Sequence, residues 1–146
     1  MSANQSSQTE TDIKAILDTL ESFRTGWEKS DADQILSTID QQEDVVIFGT
    51  DLVERWIGYE AFVGPVLEQV KALVDPVYTW GENEPRINAQ GDIGWASGDL
   101  SIAFEMNGIP QEVSMRSTYV LSRQGEEWKI VQAHFSVGEE QAVVEY

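Results

Sequence analysis

Residues 93–123 read IGWASGDLSIAFEMNGIPQEVSMRSTYVLSR. Two runs of strand-like residues flank Asn107-Gly108, a dipeptide that tolerates positive φ at both central positions of a tight hairpin turn. The stretch therefore predicts two long antiparallel strands, about Ile93–Met106 and Gln111–Arg123. Moving outward, Ala89-Gln-Gly-Asp92 and Gln124-Gly-Glu126 are breaks, beyond which lie strand-like segments at roughly Val77–Ile87 and Trp128–Val137. The C-terminal half thus reads as a meander of four long strands with a side-chain period of two.

Before Pro76 the period is helical. Ile13, Ile16, Leu17, Leu20, Phe23 and Trp27 recur at spacings of three and four from about Thr11, opposite the polar Asp12, Lys14, Asp18 and Glu21. That is one apolar stripe of an amphipathic helix. Ser30 with Asp33 has the look of a capping arrangement for a second short helix carrying Ile35, Leu36 and Ile39. Val45–Phe48 suits a buried strand broken at Gly49-Thr-Asp51. A third helix carries Phe62, Val63, Val66, Leu67, Val70 and Leu73, with a kink or split expected at Pro65. Helices first and a strand meander after them predict an α+β fold, with helices gathered on one face of an antiparallel sheet. Residues 1–9 read as a disordered tail and 10–146 as a single domain without repeat or linker.

Composition narrows the function. The 146-residue chain is 41% hydrophobic, enough for a packed core. It has 9 Lys and Arg against 26 Asp and Glu, a net charge of −17. Such a surface repels phosphate backbones and anionic lipid, which argues against nucleic-acid and membrane partners. With no cysteine and one histidine, thiolate chemistry is excluded and no metal site is expected. No phosphate-cradling glycine loop occurs, and Gly94 and Gly98 read as sheet bends, so no cofactor is expected. A polar start without an apolar run predicts a cytoplasmic protein.

The order of elements also resembles a known family. Gly49-Thr-Asp-Leu-Val-Glu-Arg-Trp-Ile-Gly-Tyr-Glu-Ala-Phe62, Asp92-Ile-Gly-Trp-Ala-Ser-Gly98, Arg116-Ser-Thr-Tyr-Val-Leu-Ser-Arg123, and Trp128-Lys-Ile-Val131 with His134-Phe-Ser136 are similar to successive pieces of SnoaL-like domains, in the nuclear transport factor 2-like (ketosteroid isomerase-like, cystatin-like) superfamily. The resemblance implies a cone: three N-terminal helices packed on a strongly curved mixed, mainly antiparallel sheet. It implies a pocket between the first helix and the concave face, and a homodimer through the outer face. It implies no one reaction, since the fold hosts many. The ketosteroid isomerase catalytic set looks absent. Its base position falls at or beside Gly49, its tyrosine near Phe23, and its protonated aspartate near Arg116 or Ser117.

Candidate site residues follow. Arg116, Thr118, His134 and Ser136 share a face if strand register allows, and Asp99 is a further candidate contact. Their bland reading is a buried hydrogen-bond network in which Asp99 or Glu105 neutralises Arg116. Phe23, Trp27, Trp56 and Trp95 suit an apolar or ring-shaped guest, or are simply core. The leading expectation is a small-molecule-binding domain for an organic ligand, with these nine residues as its contacts. The alternatives are an isomerase, dehydratase or cyclase with His134 or Asp51 as general base, and an oligomerisation module with a filled cavity. For Asp51 the plain reading is a turn residue.

Overall fold

A computed structural model describes residues 3–82, 85–141 and 144. In chain order the elements are α1 (Ala3–Glu28), α2 (Ala32–Ser37), β1 (Val46–Phe48), β2 (Arg55–Ile57), α3 (Tyr59–Ala72), β3 (Val74–Trp80), β4 (Arg86–Gln90), β5 (Ile93–Met106), β6 (Ile109–Gln124) and β7 (Glu127–Ser136). The strands form one seven-stranded sheet in the order β2-β1-β7-β6-β5-β3, with β4 also paired to β5. β1 runs parallel to β7 and every other pairing is antiparallel. Three helices on this mixed sheet make the expected α+β cone.

The central hairpin forms as the sequence predicts. Met106 pairs with Ile109 across Asn107 (φ 54) and Gly108 (φ 77). Ile16, Leu20, Phe23 and Trp27 of α1 are all buried against the sheet. The closest approach is at Gly94 of β5, where an added Cβ would stand 2.4 Å from Ile16 Cδ1. The missing side chain is the hollow that receives the helix.

Five local readings need correction. α1 begins at Ala3, so residues 3–9 are helical where a disordered tail was expected. The polar side chains there support the helix: Thr9 and Thr11 donate to the Gln5 and Ser7 carbonyls, and Gln8 to Asp12. The cap of α2 is Asp31, which accepts the Gln34 N–H, while Ser30 takes a positive φ. α3 runs through Pro65 without a split; proline removes one N–H from the ladder, and the rest of the turn holds. Arg55–Ile57, read as a lead-in to α3, is a strand paired with β1. Finally, Val77–Ile87 is two strands. Both pair with β5, and the chain breaks after Trp80, at Gly81, whose N–H bonds the Asp99 carbonyl at 2.9 Å.

A bulge in β7 decides which residues face the helices. Val120 pairs with Gln132, but Leu121 pairs with Ile130, leaving Val131 unopposed. The two-residue period therefore slips by one at Val131. Trp128 and Ile130 point inward before the bulge, and Ala133 and Phe135 point inward after it. Gln132 and His134 are turned outward to solvent, and Ser136, in phase with them, is half-buried.

Candidate functional site

Between α1, α3, the β1–β2 loop and the concave sheet face lies a cavity of about 200 Å³. Its walls are mostly apolar and rich in aromatic rings. Phe23 and Trp27 come from α1, Trp56 from β2, Tyr78 and Trp80 from β3, Tyr119 from β6 and Phe135 from β7. The rings brace one another: Phe23 stacks on Phe135 with centroids 6.2 Å apart, Trp27 on Tyr78 at 6.5 Å, and Trp56 tilts against Phe62 at 5.3 Å. Leu100, Ile102, Val113 and Met115 complete the sheet side.

Few polar groups reach these walls. Arg24 is engaged by Glu21 and Glu28, each at 2.6 Å, and donates to the Tyr78 carbonyl at 2.8 Å. Trp80 Nε1 donates to Glu21 at 2.6 Å. Burial by itself pushes the Glu21 carboxyl up, yet the hydrogen bonds from Arg24 and Trp80 prevail and hold it below the ordinary carboxylate range. Glu21 in turn raises the Arg24 guanidinium against the opposing effect of burial. Burial pushes the phenols of Tyr78 and Tyr119 well above their ordinary value, so both stay protonated. The Tyr78 hydroxyl is buried and has no hydrogen-bond partner among the described residues, although the Gln69 amide of α3 is a polar neighbour.

The other charged wall residue among those described is Glu54, in the β1–β2 loop just before β2. Its carboxylate lies over Gly49, whose added Cβ would meet Glu54 Cβ at 2.6 Å and Oε1 at 2.9 Å. Oε1 accepts from Thr50 Oγ1 at 3.3 Å and from the Asp51 N–H at 3.1 Å.

Residues 16–139 match the SnoaL-like domain family. The chain belongs to that family. Solved structures similar to this SnoaL-like domain include a nuclear transport factor 2-like superfamily protein from Salmonella enterica serovar Typhimurium (16% identity, 94% of this chain and 98% of that one, TM-score 0.83). A nuclear transport factor 2-like protein of unknown function from Pseudomonas putida shares 18% identity over 90% of each chain, with a TM-score of 0.77. A ketosteroid isomerase-like protein from Erwinia carotovora atroseptica shares 13% identity over 88% of this chain and 97% of that one, with a TM-score of 0.72. At these identities the likeness shows the fold. No curated protein matches the sequence.

Within the SnoaL-like frame the sequence-derived residues divide sharply. Phe23, Trp27 and Trp56 line the cavity as expected. Arg116, Thr118, His134 and Ser136 do share a face, for Arg116 pairs with Ser136 and with Asp99, and Thr118 with His134. That face is the outer one, because Met115, Ser117, Tyr119 and Leu121 take the inward positions of β6. Trp95 is on the outer face too, 45% exposed, in a second pocket of about 240 Å³ that it lines with Thr118, Val120 and Gln132. His134 packs edge-on against Phe48 at 5.3 Å. Asp51 is an exposed turn residue whose Oδ1 accepts the N–H groups of Val53 and Glu54. Neither proposed base touches the cavity. Among the described residues no cluster suited to a metal ion occurs, and no helix is long and apolar enough to cross a membrane.

Sequence reasoning missed Arg24, Glu54, Gln69, Tyr78 and Trp80. Glu54 had a readable signal: it stands two residues before Trp56, so a strand there puts both on one face.

Proposed function

We propose that this SnoaL-like domain binds a small, largely apolar, ring-bearing organic molecule in the cavity between α1 and the concave sheet face. One observation carries the reading: the space enclosed by Phe23, Trp27, Trp56, Tyr78, Trp80 and Phe135 is open, about 200 Å³, rather than filled by those side chains. A pure oligomerisation module has no need of such a void. Pockets for small ligands are of this kind, mostly apolar with a few placed polar groups. The enzyme alternative loses both of its named bases, His134 and Asp51, to positions outside the cavity, which favours binding.

The neutral probe tert-butylbenzene tests this. It should raise the melting temperature in a concentration-dependent way, as any ligand of the native state does. Val113→Trp, which places an indole in the cavity, should remove the shift. If neither tert-butylbenzene nor its trimethylammonium isostere moves the melting temperature, or the shift is equal in Val113→Trp, the cavity is not a binding site.

The outer face supports a second component, a homodimer. Register lines up Ile57, Val46, Gln132, Val120 and Trp95 across five strands, and Ile57, Trp95 and the neighbouring Ile93 are 53%, 45% and 46% exposed. A row of apolar side chains on a sheet face is a surface for self-association. Sedimentation equilibrium should give twice the 16.4 kDa chain mass, and Trp95→Glu should return the protein to one chain. A wild-type protein that sediments as a single chain at high concentration ends this reading.

A further inference from the structure

The charge of the ligand can be inferred from the cavity wall, on the footing of the small-molecule reading above. Among the described residues two charged side chains line the cavity, Arg24 and Glu54. Arg24 is already satisfied, with Glu21 and Glu28 at 2.6 Å. Glu54 is not: among the described residues no lysine or arginine pairs with it, and its two hydrogen bonds, from Thr50 and Asp51, both fall on Oε1. Glu54 is half-buried at the edge of the cavity, and an unpaired carboxylate in that position attracts a cationic group. The chain makes specific room for the carboxylate, since Gly49 supplies no Cβ where the Glu54 side chain lies. The surrounding walls also include the rings of Trp27, Trp56, Tyr78 and Trp80. Aromatic faces attract cations through their negative quadrupole, tryptophan most strongly.

We propose that the ligand of this cavity is an organic cation, an ammonium-type group carried on a ring or short apolar body, with Glu54 as its counter-ion and the aromatic walls as its cage. A neutral guest leaves Glu54 uncompensated. An anionic guest meets Glu54 directly and must approach a chain of net charge −17.

The test compares two molecules of the same shape, phenyltrimethylammonium and tert-butylbenzene, by calorimetric titration at about 150 mM salt, where the screening length is about 8 Å. Wild-type protein should bind the cation at least about tenfold more tightly than the neutral isostere. Glu54→Gln keeps an oxygen to accept from Thr50 and Asp51. It should bind tert-butylbenzene as wild type does while the preference for the cation falls to about twofold or less. Glu112→Gln removes the same unit of charge from an exposed position on the outer face of β6 and should leave the preference intact. Equal binding of the two probes by wild type overturns the cation proposal and leaves the pocket standing. So does a preference that survives Glu54→Gln, because it then comes from the acidic surface at large. Failure of both probes to bind overturns the pocket itself, and the cation proposal with it.

Discussion

Ile16→Ala is expected to lower the unfolding free energy by about 2–5 kcal/mol, the range for truncating a fully buried aliphatic side chain. Ile16 is 0% exposed and belongs to the one face of α1 that meets the sheet. Its Cδ1 fills the hollow over Gly94, 2.4 Å from where a Cβ would stand, so truncation leaves a void that neither helix nor strand can close. The reverse change, Gly94→Ala, overpacks the same spot and should cost about 1–3 kcal/mol. The two sites are coupled. Ile16→Val retracts the methyl that the new Cβ strikes, so the double variant Ile16→Val with Gly94→Ala should cost less than the sum of its single changes. Urea unfolding of the four proteins measures this directly. Strict additivity would mean that the helix can ride over an enlarged β5 and that the close approach does not set its position.

Gly49→Val is the change expected to damage binding most. An added Cβ meets Glu54 at its Cβ, its carboxyl carbon and Oε1, at 2.6, 2.7 and 2.9 Å. A Cβ atom is tied to its backbone, so the clash cannot be relieved by rotating the far end of the side chain. The β1–β2 turn must move, although Gly49 N–H holds the Glu54 carbonyl at 2.7 Å. Stability should fall by about 1–3 kcal/mol. Binding of phenyltrimethylammonium should weaken by more than it does in Glu54→Gln, where a loss of at least about fivefold is expected, because the valine displaces the carboxylate and also narrows the cavity. Titration with that probe and a thermal melt of the same sample separate the two effects. Unchanged affinity would place the binding surface elsewhere.

Much of this architecture was legible from short stretches. Asn107-Gly108 sets the central hairpin because its two residues accept positive φ. The three-and-four spacing from Ile16 to Trp27 sets the face that α1 buries. The set Arg116, Thr118, His134 and Ser136 was correctly gathered on one face, with Asp99 beside Arg116. The side of the sheet on which that face lies was misread. An unbroken period of two through β7 joins His134 to Trp128 and Ile130, and an indole beside two strand-forming apolar residues draws the whole set inward. The bulge at Val131 severs that link, and nothing in Ile130-Val-Gln132 marks it. For Glu54, the missing step was recognising Arg55–Ile57 as a strand at all, since three residues are too few to display a period.

The amino-acid sequence by itself determined the central hairpin, the buried stripe of α1 and the acidic, cysteine-free character of the chain, because these depend on composition and on neighbours within a few residues. The tertiary structure decided which strand face the helix covers, and therefore that Phe23, Trp27 and Trp56 meet Glu54 around a void while Arg116 and His134 stand outside it. That choice depends on the phase of seven strands relative to one helix. A single extra residue in β7 reverses the phase for every side chain beyond it, so it is a property of the assembled sheet and of no segment alone.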